Sequence, residues 1–277
     1  MMTSFYNILS NTCRRLIYRQ YSKQSYPGKK IEVNKINIHY EEVGYGNYKL
    51  LLIPGALGST RTDFGPQLEK LDKSKFTLIS WDPPGYGFSI PPERTFPRNF
   101  YQRDAHLAAA LMKKLGHHKY SILGWSDGGT MGLIIAANYP DVVQKLAIWG
   151  STAYFTNDDV QMMNAARDIQ QWNRKMLEPM LALYGEEYFR KMWHNYLDAV
   201  QDIVSNGGDL CKDDLKKIQC ETLILHGDKD PLVPFFHIPY LLENIKNSKC
   251  YRFPEGRHNI HLRYADEFNE QILKFLL

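Results

Sequence analysis

Long apolar runs, paired cysteines and nucleotide-binding glycine patterns are all missing from this 277-residue chain. No segment approaches the roughly 18 consecutive apolar residues of a membrane span. The four cysteines, Cys13, Cys211, Cys220 and Cys250, lie far apart, with no C-x-x-C pair and no metal-ligand spacing. That pattern argues against a disulfide framework or a metal module and for a reducing compartment. Neither G-x-G-x-x-G nor G-x-x-x-x-G-K-[ST] occurs, so the glycines of DPPGYGFS (82–89) make no phosphate cradle. No cofactor and no metal is expected, and there is no fixed repeat or low-complexity block.

Acidic residues are absent before Glu32, whereas Arg14, Arg15, Arg19, Lys23, Lys29 and Lys30 precede it. The stretch MMTSFYNILSNTCRRLIYRQYSK is basic, rich in hydroxyls and free of acids, with Phe5, Ile8, Leu9, Leu16 and Ile17 at roughly helical spacing. This is the composition of an amphipathic transit peptide, without the apolar centre of a secretory signal. Arg19-Gln20-Tyr21-Ser22 resembles a mitochondrial processing site, so residues 1–21 are expected to be removed and the protein to be mitochondrial. The competing reading is a disordered basic terminus. Three of the positive charges behind the net +4 lie in residues 1–21, with no negative one, which leaves +1 on the remainder. A nearly neutral chain argues against nucleic acid as a partner.

What is present is an alternation. IEVNKINIHYEEVG (31–44) reads as a strand or hairpin. KLLLIPG (49–55) and FTLISWD (76–82) are short apolar runs ending in turn residues, as buried parallel strands are. A helix over 100–115 places Ala108, Leu111, Met112 and Leu115 on one face and stops at Gly116. Strand 120–124, helix 127–140 and strands 145–150, 222–227 and 249–253 follow, and YADEFNEQILKFLL closes the chain as a helix. Strands alternating with helices predict an α/β class with a mostly parallel sheet, flanked by helices, carrying its site beyond the carboxyl ends of the strands. Residues 151–215 break the pattern. They are helical and rich in methionine and aromatics, among them Met162, Met163, Trp172, Met176, Met180, Tyr184, Tyr188, Met192 and Trp193. Packing accounts for most of these side chains, but an insertion after a strand end sits above the site, so this segment is expected to be a helical cap. The core then comprises 22–150 and 216–277.

One motif sits at a strand-to-helix junction. LGWSDGG (123–129) contains G-x-S-x-G around Ser126, after a five-residue strand and at the start of a helix. That context is what a nucleophile elbow requires. A serine nucleophile needs a base and the base an orienting acid, following in the order Ser, Asp, His on this architecture. Two loops at later strand ends supply both: HGDKDPLVP holds Asp228 and Asp230, and PEGRHNIH holds His258 and His261. Spacing alone does not choose within either pair.

The chain resembles the biphenyl hydrolase-like (valacyclovir hydrolase) family of serine α/β-hydrolases. The matching stretches are PGALGSTRTDFGPQL, WDPPGYGFSIPP, GWSDGG, AIWG, HGDKDPLVP and PEGRHNIHLRYADEF, spread over nearly everything after residue 30. The resemblance implies an α/β-hydrolase fold with Ser126 as nucleophile, Asp230 as acid and His258 as base, leaving Asp228 and His261 as neighbours. It places the oxyanion donors on the backbone N–H groups of Leu57 and Asp127. It also implies a mitochondrial enzyme that cleaves α-amino acid esters, with Asp127 as the anchor of the substrate ammonium.

Physical reasoning bears on Asp127 independently. An acid in the first turn of a helix gains roughly 0.3–1 kcal/mol from the helix dipole. A carboxylate about 6 Å from a developing oxyanion opposes it by roughly 3 kcal/mol at an effective dielectric of 20. A cation on the substrate, one carbon from the acyl carbon, turns that penalty into attraction. Leu232, with Phe235 and Phe236, is expected to help line the site. Competing functions are a general carboxylesterase or carbon–carbon bond hydrolase on the same triad, and a receptor that retains the triad with little turnover. Ser126 excludes a dehalogenase, which needs a carboxylate nucleophile. The expected partners are small-molecule esters, not nucleic acid or membrane, and the expected state is a monomer.

Overall fold

The computed structural model describes residues 28–277; the expected transit peptide and its cleavage site lie outside them. Eight strands form one sheet: β1 (Lys29–Val33), β2 (Ile36–Gly44), β3 (Tyr48–Ile53), β4 (Phe76–Trp81), β5 (Tyr120–Trp125), β6 (Val143–Trp149), β7 (Glu221–Gly227) and β8 (Ser248–Phe253), in the spatial order β1-β2-β4-β3-β5-β6-β7-β8. The first stretch is a hairpin, turned at Asn34 and Lys35, both at positive φ, as a two-residue turn of this hand requires. β2 runs antiparallel to β4, and every pair from β4 to β8 is parallel.

The central strands are largely apolar because both of their faces are covered. Leu51 and Ile53 of β3 join Ile122, Leu146, Ile148 and Ile224 on one face, while Leu50 and Leu52 join Leu123, Ala147, Leu223 and Leu225 on the other. In chain order the helices are α1 (Thr60–Asp63), α2 (Gly65–Lys70), α3 (Phe100–Lys114), α4 (Asp127–Asn138), α5 (Asn157–Ala165), α6 (Arg174–Tyr184), α7 (Glu186–Ser205), α8 (His237–Asn244), α9 (Ile260–Arg263) and α10 (Ala265–Leu276). Helices α3, α4 and α8 pack on the first face; Phe268, Ile272 and Phe275 of α10 pack on the second.

Helices α5, α6 and α7 lie between β6 and β7, in the segment expected to be a cap. A single bridge between Tyr154 and Asp209 ties together the two chain segments at its base. Inside the cap, Trp172 packs edge-on against Phe189 and Trp193, so these three aromatic residues serve its own core. Among the described residues no helix is long and apolar enough to cross a membrane, and no group of three or more His, Cys, Asp or Glu could hold a metal ion.

Candidate active site

Ser126 is where β5 turns into α4, with φ 54° and ψ −121°. A non-glycine residue at such a φ costs on the order of 1–3 kcal/mol and persists only where its surroundings enforce it. Here the Ser126 N–H donates to Trp149 O at 2.8 Å, and its own carbonyl accepts from the Gly129 and Thr130 amides. The motif glycines allow α4 to lie against the sheet. A Cβ on Gly124 would stand 2.5 Å from Gly128 O, and one on Gly128 would stand 2.0 Å from Ile53 O. Ser126 is partly exposed while the residues around it are buried.

Asp230 and His258, in the loops after β7 and β8, meet: His258 Nδ1 lies 2.8 Å from Asp230 Oδ2. The other carboxylate oxygen, Oδ1, accepts the Leu232 and Val233 amides at 2.8 and 3.1 Å. Burial opposes the Asp230 charge, but the imidazole and these amides outweigh it and hold the carboxyl below its ordinary range. Burial likewise disfavours a charged His258, yet Asp230, with Asp127 and Asp63 beyond it, holds the imidazole above its ordinary value. Trp125, next to Ser126 at the end of β5, donates from Nε1 to His258 O at 3.0 Å and so ties this strand end to the loop after β8.

The other member of each pair is occupied elsewhere. Asp228 is exposed and accepts from Arg252 Nε at 2.8 Å. His261 is buried: Trp149 Nε1 donates to its Nδ1 at 2.9 Å, so its Nε2 carries the proton and donates to Asp63 O at 2.9 Å. Burial first, and the charge of His258 as well, push His261 down to about 3, which keeps it neutral. Phe235 is exposed against His226 and Arg252, and Phe236 packs on His237.

Asp127 opens α4 but caps nothing with its side chain. It is only 5% exposed, and its Oδ1 accepts two hydroxyls, from Tyr101 Oη at 2.8 Å and Tyr196 Oη at 2.9 Å. No hydrogen bond to Oδ2 is made among the described residues. Burial pushes the carboxyl up to about 6, against the lowering effect of the two tyrosines, Arg94 and His258. Its backbone N–H is one of the donors that a helix start leaves without an intrahelical partner.

Leu57 lies in the loop after β3, at φ 59°, with its carbonyl accepting from Tyr184 Oη at 2.9 Å. The Gly55 amide in the same loop donates to the buried Asp63 Oδ2 at 2.9 Å, and a Cβ on Gly55 would stand 3.3 Å from Ser126 Cβ. The loop therefore rests against the elbow.

Sequence reasoning missed three contributors. Tyr101 and Tyr196 reach Asp127 from 26 and 69 residues away along the chain, and nothing local marks either as more than a packing aromatic. Gly150, at φ 57°, is the third: a Cβ there would stand 2.9 Å from His258 Cε1 and Nδ1. Its signal was available, since it ends the strand run AIWG.

Comparison with known proteins bears on the fold and the family. An alpha/beta hydrolase fold model matches residues 48–180. Serine hydrolase BPHL of Mus musculus is 48% identical over 248 residues, covering 89% of this chain and 85% of that protein. The chain belongs to the biphenyl hydrolase-like family of serine hydrolases. The Homo sapiens family member is 46% identical with the same coverage. Among solved structures, a mutant of the meta-cleavage product hydrolase CumD superposes with a TM-score of 0.71 at 22% identity, covering 90% of this chain and 97% of that one. The biphenyl hydrolase-like chain thus shares its fold with proteins far more distant in sequence.

Proposed function

We infer that this serine hydrolase cleaves α-amino acid esters through an acyl-enzyme on Ser126. The observation that carries the reading is Asp127, a buried carboxylate beside the nucleophile whose Oδ2 makes no hydrogen bond among the described residues. Burying an ionised carboxylate is costly unless a partner charge arrives. An α-ammonium group, one carbon from the acyl carbon, supplies that charge at the required position. In the proposed cycle His258 takes the Ser126 proton as the oxygen attacks the ester carbonyl. The Leu57 and Asp127 amides hold the oxyanion, each worth typically 2.7–4 kcal/mol. Asp230 fixes the imidazole tautomer and stabilises its charged form. The protonated His258 then gives its proton to the leaving alcohol. Water hydrolyses the acyl-enzyme with the same base. Leu232, whose amide holds Asp230, borders the site.

The test is a panel of p-nitrophenyl esters with and without an α-amino group, run on the wild type and on Asp127→Ala. A charge-assisted contact of roughly 1.5–3 kcal/mol corresponds to a fall of about 10- to 150-fold in kcat/KM for amino esters. Neutral esters should hold or gain. If both classes fall together, Asp127 serves the helix start and the amino-ester reading is wrong. Carbon–carbon bond hydrolysis of a dienoic ketoacid is disfavoured by the same carboxylate, which would repel an anionic substrate.

A further inference from the structure

The geometry points to Tyr196, on cap helix α7, as a positioning residue for substrate selection: through its hydroxyl the cap orients the Asp127 carboxylate toward the substrate. This rests on the ammonium reading of Asp127 and extends it from the core to the cap.

Two hydroxyls converge on a single oxygen of Asp127. Tyr101 comes from α3, part of the core, and Tyr196 from α7, part of the cap; their own oxygens lie 3.5 Å apart. A carboxylate whose Oδ1 is held from two sides cannot rotate freely about its terminal torsion, which is otherwise broad. Oδ2 is then left in one orientation. Tyr196 is itself held as a ring. It stacks on Trp193 at 5.6 Å and 19° and meets Phe96 and Phe100 edge-on at 5.7 and 6.3 Å. Its hydroxyl is therefore delivered by a packed aromatic cluster, not by a mobile side chain.

The cap thus holds a part of the site that only a cationic substrate uses. Its other tyrosines bind elsewhere: Tyr184 donates to Leu57 O and Tyr188 to Gly85 O. Tyr196 alone among these three reaches the carboxylate. A shift of α7 would remove one of the two hydroxyls on Oδ1, weakening the ammonium site while leaving the Asp230–His258 pair in contact.

A pH signature follows from the groups that face Asp127. They are Tyr101 from α3, Tyr196 from α7, Arg94 and Tyr86 from the segment after β4, and His258 from the loop after β8. Both tyrosine hydroxyls at hydrogen-bond distance favour the charged carboxylate. Removing one favours the protonated form, so the pH below which ammonium binding is lost must rise.

The experiment compares wild type, Tyr196→Phe and Asp127→Ala on a p-nitrophenyl α-amino ester and on p-nitrophenyl butyrate across pH. Phenylalanine keeps the ring packing and removes only the hydroxyl. The expected result for Tyr196→Phe is a preference for the amino ester reduced about tenfold, chiefly through KM, as befits one charge-assisted hydrogen bond. The pH at which that preference disappears should move upward. An unchanged preference and pH, with Asp127→Ala still abolishing the preference, would overturn the role of Tyr196 alone. So would an equal fall for both esters, which marks a structural role. If Asp127→Ala keeps the preference, the ammonium reading itself fails, and the two failures are told apart. Tyr101→Phe serves as a second probe: a matching pH shift there supports the two-sided hold.

Discussion

Residue by residue, the chemistry here is decided by what each polar atom already holds. Asp230 has both oxygens engaged in ways that orient a histidine, whereas Asp228 holds only a surface arginine. Asp230→Asn is therefore expected to lower kcat by about 10⁴-fold through the wrong imidazole tautomer. Asp228→Asn breaks a surface pair of the kind worth about 0–1 kcal/mol and should leave turnover within a few-fold of wild type. A crippled Asp228 variant beside an active Asp230 variant would reverse the assignment. Steady-state kinetics on one activated ester suffices to decide. The choice between these two residues, and between His258 and His261, was hidden along the chain because the members of each pair lie two or three residues apart after the same strand. In the structure Trp149 and Arg252, from other strands, hold one member of each.

Among the elements, the strands and long helices were legible in the sequence for a physical reason: a strand covered on both faces must be largely apolar, and β3 to β7 each carry an apolar run. Helix α3 was legible from its apolar face and its stop at Gly116, which sits at φ 84°. The short helices α1, α2 and α9 were not, since four to six residues carry no periodicity to read. The cap aromatics were legible as packing and illegible as ligands, because hydroxyl contacts with loops about 100 residues away leave no local trace. Tyr184 is the clearest case. It accepts from the Gly87 amide at 2.8 Å and donates to Leu57 O at 2.9 Å, joining the cap to two core loops. Tyr184→Phe should loosen the Leu57 loop and lower kcat for amino and neutral esters alike, by about tenfold, with little change in KM. A selective effect on amino esters would show instead that Tyr184 acts on the ammonium side, and single-turnover measurements on both substrates separate the two cases.

At the scale of the whole molecule, the basic terminus differs in composition from the described body. Every residue assigned to the proposed chemistry lies between Leu57 and His258, and the sheet's first strand begins at Lys29, paired in register to Tyr40. Residues 1–21, outside the described residues, carry positive charge, hydroxyls and a helical apolar spacing without a single acid. Such a segment suits recognition by an import machinery and subsequent removal. We propose on that basis a mitochondrial protein whose mature chain begins near Ser22. Deleting residues 1–21 should leave kcat and KM for an activated ester unchanged, because the deleted stretch precedes the whole sheet. Fused to a fluorescent protein, residues 1–30 should direct it to mitochondria, and replacing Arg14, Arg15 and Arg19 by glutamine should abolish that import. A diffuse cytosolic signal from the intact fusion would remove the targeting proposal. A fall in turnover on deletion would mean that the terminus also contributes to the folded enzyme.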